Sequence, residues 1–152
     1  MTTIDEEIKM LKDYLDLEAL RFDHNFSYEI IVDEQLDIHS TEIPCMALQP
    51  FVENAIIHGL LPKTDGERKL VVSFKKENDN SLLCIVDDNG IGRIAASERN
   101  KNSLRHKKSR GMEITSLRLN ALGNKTKGYQ IIDKKDANGR PEGTTVVLKL
   151  NL

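Results

Sequence analysis

The chain has 152 residues, 39% apolar and 30% charged, and a net charge of −2. That size fits one globular domain with its own core, an aliphatic one because Trp is absent and aromatics are only 5%. The charge excludes a protein-wide surface for nucleic acid or anionic lipid, and no run has the length of a membrane span or the pattern of a signal peptide, so a cytoplasmic domain is expected.

Residues 3–23 predict a helix. Thr3 followed by Glu6 has the capping-box spacing, and Ile4, Ile8, Leu11, Leu15, Ala19 and Phe22 recur at helical steps as one apolar stripe. The stripe has no element before it, as in a helix truncated from a longer one. Tyr28–Val32 predicts a short strand. Pro44 is expected to open a second helix running to Leu60, with Leu48, Val52, Ala55, Ile56 and Gly59 on its apolar face, and Gly59 and Pro62 to end it.

Lys69–Lys75 alternates, with Leu70, Val72 and Phe74 inward, and Ser81–Val86 is an apolar run suited to a strand buried on both faces. Asn78-Asp79-Asn80 between them predicts a hairpin turn. A polar, basic stretch with Arg99, Lys101, Arg105, Lys107, Lys108 and Arg110 leads to a helix over Gly111–Leu122. Tyr129–Lys134 and Thr144–Leu150 predict the last strands, with Asn138-Gly139 as a turn. Cys45 and Cys84 lack metal or redox spacing and are expected as buried, reduced thiols. Hairpins separated by helices predict an α+β fold: a two-layer α/β sandwich with a mixed, mostly antiparallel sheet and helices on one face.

Three segments carry candidate chemistry. In DDNGIG (87–92), Gly90 is expected to take positive φ and Gly92 to let a ligand approach the main chain. A carboxylate at the strand end can accept from an exocyclic amino group such as that of adenine, although Asp-Asn-Gly alone is also a common turn. Asp87, Asn89, Gly92, Ile94 and Glu98 follow part of a calcium-loop spacing, but Ile91 stands where an oxygen ligand is required and a strand precedes.

In LQPFVENAIIHGL (48–60), Asn54 and His58 share one side of the helix, away from the apolar stripe. The Asn54 amide oxygen suits Mg²⁺, a cation that also bridges nucleotide phosphates; a solvated polar face is the plain alternative. In SRGMEITSLRL (109–119), Gly111 at a helix start offers free N–H groups to phosphate. The loop between Gly92 and Ser109 is about 16 residues, a length typical of lids. Together the three segments form a nucleotide site in chain order.

With YLDLEALRF (14–22), IPCMALQPFVENAIIHGL (43–60), DDNGIG, SRGMEITSLRL and GTTVVLKL (143–150), the chain resembles the GHKL ATPases, and within them the LytS/YehU-type sensor histidine kinases. The resemblance covers nearly the whole chain. It implies a Bergerat-type α/β sandwich that binds ATP and Mg²⁺. Asn54 would hold the metal, with Glu53 beside it in a catalytic role. Asp88 would read the adenine, and Gly90, Ile91 and Gly92 would line the purine pocket. His58, Lys107, Lys108, Arg110, Gly111, Met112 and Thr144 would complete the nucleotide contacts, with 93–110 as the ATP lid.

Gyrase-like relatives carry a Glu, as water-activating base, four residues before the metal-binding Asn. Here Pro50 stands there, which fits a kinase rather than an efficient hydrolase. Pro50 also cannot supply the second metal contact that many two-component kinases place there. Ser109 replaces the first glycine often found at the lid end.

The resemblance divides the chain into 1–23, the tail of a helical region that dimerises and carries the phosphoacceptor histidine, and 24–152, the ATP-binding domain. None of His24, His39, His58 or His106 has the acceptor context, so the acceptor is expected upstream. The implied chemistry is transfer of the ATP γ-phosphate to that histidine and then to a response regulator receiver domain. The intact protein is expected as a homodimer anchored in the bacterial inner membrane. A GHKL-type serine kinase or anti-sigma factor, and a calcium-binding module at 87–98, stand as alternatives.

Overall fold

The computed structural model of the chain describes residues 1–23, 25–93 and 126–152. In chain order the elements are β1 (Thr2–Thr3), α1 (Ile4–Arg21), β2 (Ser27–Val32), β3 (Glu42–Ile43), α2 (Gln49–Asn54) running into a π-helical segment (Ala55–Leu60), β4 (Lys69–Asn78), β5 (Ser81–Asp88), β6 (Thr126–Lys135) and β7 (Pro141–Asn151). The expected Gly111–Leu122 helix lies outside the described residues.

α1 begins where its capping box predicts. The Thr3 hydroxyl accepts from Glu6 N at 3.2 Å and the Glu6 carboxylate accepts from Thr3 N at 3.0 Å. The backbone at Thr3 is extended and β1 pairs antiparallel with β3, so α1 begins after Thr3. Ile4, Leu11 and Leu15 are fully buried and Ile8 nearly so. Burying each such side chain stabilises the fold by about 1.5–3 kcal/mol.

The second helix does not open at Pro44. Met46 has φ +56°, a left-handed backbone no α-helix contains, so helical structure starts at Gln49, with Pro50 in the first turn where no N–H is needed. Its far half is π-helical, closed by a bond from Leu61 N to Ile56 O of 2.8 Å. Gly59 lies in the last turn of this helix, which ends at Leu60 as expected.

Five strands form one mixed sheet in the order β2-β4-β5-β7-β6, with β2 and β4 parallel and the other pairs antiparallel. The expected α+β sandwich is observed, including the β4–β5 hairpin and the β6–β7 turn at Gly139, whose φ is +78°. Leu70, Val72 and Phe74 of β4, Leu82, Cys84 and Val86 of β5, and Leu148 and Leu150 of β7 face α1 and α2 and share one core with them. Among the described residues nothing covers the other face, where Ile31 and Ile132 are 44% and 43% exposed. β5 is consequently buried on one face and only half-buried on the other, contrary to the two-sided burial expected from its apolar run. Cys84 is buried as expected, whereas Cys45, in the turn before α2, is exposed.

Candidate functional site

Asp88 ends β5 on the core side of the sheet, because strand alternation places it in line with Val86, Cys84 and Leu82. It is 4% exposed. Its Oδ1 accepts from Gly90 N at 2.8 Å, and the Thr144 backbone, its partner across β7, gives a second hydrogen bond. Among the described residues no ion pair reaches it. Burial pushes the carboxyl up to about 6, against the hydrogen bonds and the Lys134 charge, which lower it. A carboxylate has about four acceptor positions. Among the described residues, its two backbone donors leave capacity for a ligand N–H.

The helix reaches Asp88 through Gly59. A Cβ on Gly59 would stand 3.0 Å from Asp88 Oδ1. The Gly59 carbonyl, left without a helical partner, accepts from Ile91 N at 3.0 Å. A Cβ on Gly90 would fall 2.3 Å from the Gly59 carbonyl carbon, so the two backbones touch. The glycine roles differ from those expected. Positive φ occurs at Gly92 (+83°) and not at Gly90, whose missing side chain is required by packing.

Gly143 adds a third constraint: φ is +120° and a Cβ there would lie 2.0 Å from the Asp88 carbonyl oxygen. Neither Gly143 nor the Gly59–Gly90 contact was anticipated. The only signal was a glycine in each of three segments that otherwise look like a helix end, a turn and a strand start.

Asn89 fixes the turn from below. Its side-chain oxygen accepts from Lys69 N at 2.8 Å, its amide donates to Glu67 O at 2.9 Å, and its carbonyl accepts from Lys63 Nζ at 2.9 Å. Asp87 points to the opposite sheet face, where Thr145 Oγ1 donates to it at 2.6 Å and Lys134 pairs with it at 2.7 Å. With Asp87 and Asn89 engaged apart from each other, the calcium-loop reading of 87–98 loses its first two ligands. Among the described residues no cluster of three His, Cys, Asp or Glu side chains could hold a metal.

Asn54 and His58 lie on the α2–π helix, each partly buried, one turn before and level with Gly59. Burial lowers the pKa of His58, which keeps it neutral at neutral pH. Glu53 accepts from Gln49 Nε2 at 3.2 Å. The Tyr14 hydroxyl of α1 is pushed up to about 12 by burial first and then by the Glu18 and Glu53 charges.

The structure thus joins Gly59, Gly90 and Thr144 to the Asp88 carboxylate, with Ile91 bonded to Gly59 and Gly92 against Pro141. Lys107, Lys108, Arg110, Gly111 and Met112 lie outside the described residues. The Asp88 carboxylate and the side-chain-free backbone of Gly59 fit a flat donor-bearing heterocycle. An amide oxygen at Asn54 has the hardness Mg²⁺ requires, with water and phosphate as the other ligands.

No protein-family model matches the chain. It is 33% identical over 89 residues to the sensor histidine kinase BtsS of Escherichia coli, which covers 59% of this chain and 15% of BtsS. It is 38% identical over 93 residues to the sensor protein LytS of Oceanobacillus iheyensis, covering 60% of this chain and 15% of LytS. The chain therefore spans about a sixth of the length of these curated relatives. The catalytic domain of histidine kinase ThkA, solved nucleotide-free, superposes with a TM-score of 0.64 at 12% identity, over 98% of this chain and 93% of that one. The sequence homologues are LytS-type sensor histidine kinases, which are transferases, and the fold is that of a histidine kinase catalytic domain.

Proposed function

We propose that the chain is the ATP-binding catalytic domain of a two-component sensor histidine kinase, and that Asp88 is the group that recognises the adenine. The observation that carries this reading is a buried carboxylate with spare acceptor capacity, held beside the bare backbone of Gly59. It is supported by sequence similarity to sensor histidine kinases. Asp88 would accept from the purine amino group while Gly90 and Thr144 hold its orientation. Gly92, at positive φ, turns the chain away from the pocket.

Mg²⁺ held by Asn54 would neutralise phosphate charge. In transfers of this kind, positioning and charge neutralisation do most of the work. Glu53 is proposed as the neighbouring catalytic carboxylate and His58 as a neutral contact. Lys107, Lys108, Arg110, Gly111 and Met112 are proposed as the phosphate side of the site.

The remaining proposals concern the intact protein. Its phosphoacceptor histidine lies upstream, its phosphoryl group passes to a response regulator receiver domain, and it acts as a membrane-anchored homodimer. Among the described residues no helix is long and apolar enough to cross a membrane. Residues 1–23, proposed as the tail of the histidine-bearing region, join that region to the domain while α1 packs into the domain core.

The reading is tested by calorimetric titration with the β,γ-imido analogue of ATP, with and without Mg²⁺. Saturable, metal-enhanced binding that Asp88→Asn weakens is expected. Equal binding by parent and Asp88→Asn removes the adenine assignment.

A further inference from the structure

Glu7 is the one nearly fully buried acidic side chain besides Asp88 among the described residues, at 1% exposure, and it takes no part in the site above. It sits on α1, yet its carboxylate is spent on the start of the second helix. Oε2 accepts from Met46 N at 3.2 Å and Oε1 from Leu48 N at 3.4 Å. Leu48 is the residue that precedes α2, and α2 has neither a side-chain cap nor an acid in its first turn. Between these two donors lies the turn strained at Met46, φ +56°. The carboxylate of α1 therefore supplies what α2 lacks and pins the left-handed turn at the same time.

The other end of the helix has a second tie. Arg68 Nε donates to Leu60 O at 2.8 Å and Nη2 donates to Lys63 O at 2.6 Å, holding the helix end and the turn after it. The same guanidinium lies 4.9 Å from the ring centre of Phe22, the residue that closes α1. Start is tied to start through Glu7 and end to end through Arg68, so α1 and the α2–π helix point the same way.

We propose that α1 holds the nucleotide-site helix at both ends, through Glu7 at the Met46–Leu48 turn and through Arg68 stacked on Phe22, so that Glu7 and Arg68 are positioning residues for nucleotide binding. The proposal rests on the nucleotide reading above. The helix between the two ties carries Asn54, His58 and Gly59. A shift of α1 displaces Gly59 relative to Asp88, where space is short: a Cβ added to Gly59 would stand 3.0 Å from Asp88 Oδ1. Packed elements transmit such shifts because close-packed interiors have little void to absorb them. α1 is thereby the route by which anything that moves it reaches the ATP site.

The test uses the full chain with three substitutions. Glu7→Gln keeps the shape but leaves one acceptor oxygen. Arg68→Lys keeps the charge but loses the planar fork. Leu150→Ala, at the far end of β7, is a control for destabilisation. Affinity for the Mg²⁺ complex of the imido analogue is measured beside urea unfolding and amide hydrogen exchange of residues 55–61.

Glu7→Gln and Arg68→Lys are each expected to weaken binding about three- to tenfold, the scale of one lost orienting hydrogen bond, and to speed exchange in 55–61. Leu150→Ala is expected to lower stability and leave affinity unchanged. Arg68, partly exposed, keeps the test decisive if Glu7→Gln does not fold. Parent-like affinity in Arg68→Lys with unchanged exchange overturns the proposal, and so does a loss in Leu150→Ala equal to that in Glu7→Gln. A parent chain that fails to bind the analogue fails the nucleotide reading itself, and the proposal falls with it.

Discussion

Gly59 lies directly against Asp88: a Cβ built on the glycine would be 3.0 Å from the carboxylate oxygen Oδ1. The helix motif and the glycine turn meet at this contact, and its closeness has a consequence for ligand binding. Gly59→Ala is expected to crowd the carboxylate and weaken binding of the imido analogue about tenfold, the equivalent of one displaced hydrogen bond. Stability should change little, since alanine is the better helix former. Calorimetric titration and thermal unfolding of the same sample check both halves.

Gly90 and Gly143 predict a different outcome. Their substituents would meet backbone, at 2.3 Å and 2.0 Å, which cannot rotate away as a side chain can. Gly90→Ala or Gly143→Ala should destabilise the fold by about 3 kcal/mol, the upper range for overpacking. Urea unfolding measures it. A loss under about 1 kcal/mol would mean that the β5–β7 end relaxes freely.

Much of this was legible in the sequence because local chemistry dictated it. Thr3 and Glu6 cap α1, Leu70, Val72 and Phe74 alternate into the core, and Gly139 turns β6 into β7. What was misread depended on contacts distant in the chain. Gly59 was readable as a helix-end residue, but its contact with Gly90, far along the sequence, was not. Pro44 looked like a helix start because nothing local announces the left-handed Met46 that Glu7 holds in place. The apolar run of β5 suggested two covered faces, whereas its outer side is half-buried at the sheet surface. In the candidate site, Asp88 was readable from its position at a strand end, and the Gly143 backbone against it was not.

Asp88 also predicts a pH dependence. Burial holds its carboxyl at about 6, above its ordinary 3.8. The folded chain therefore binds this proton more tightly than the unfolded chain. Stability tied to the group is full below its unfolded value and is lost as pH rises through about 6. Asp88→Asn has no such loss. It should exceed the parent in stability above that range by on the order of 2 kcal/mol, the gap narrowing as pH falls. Urea unfolding across the acid-to-neutral range tests this, and a gap that does not change with pH would contradict it.

Asn54→Ala addresses the metal. It should weaken binding of the analogue in the presence of Mg²⁺ by about tenfold and leave the metal-free affinity near that of the parent. Titrations with and without a chelator separate the two. Equal losses in both would place Asn54 on the nucleotide and not on the cation.

Glu53→Gln separates binding from transfer. In the intact kinase it should lower phosphoryl transfer to histidine while leaving analogue affinity near the parent value. Matched losses in radiolabel transfer and in affinity would remove Glu53 from the chemistry.

The most direct measurement of the central claim is the heat of mixing this chain with the imido analogue and Mg²⁺, parent beside Asp88→Asn. Saturable heat from the parent and a weakening of about tenfold or more in the variant are the predicted result. A parent chain that releases no heat at saturating nucleotide and metal would contradict the account.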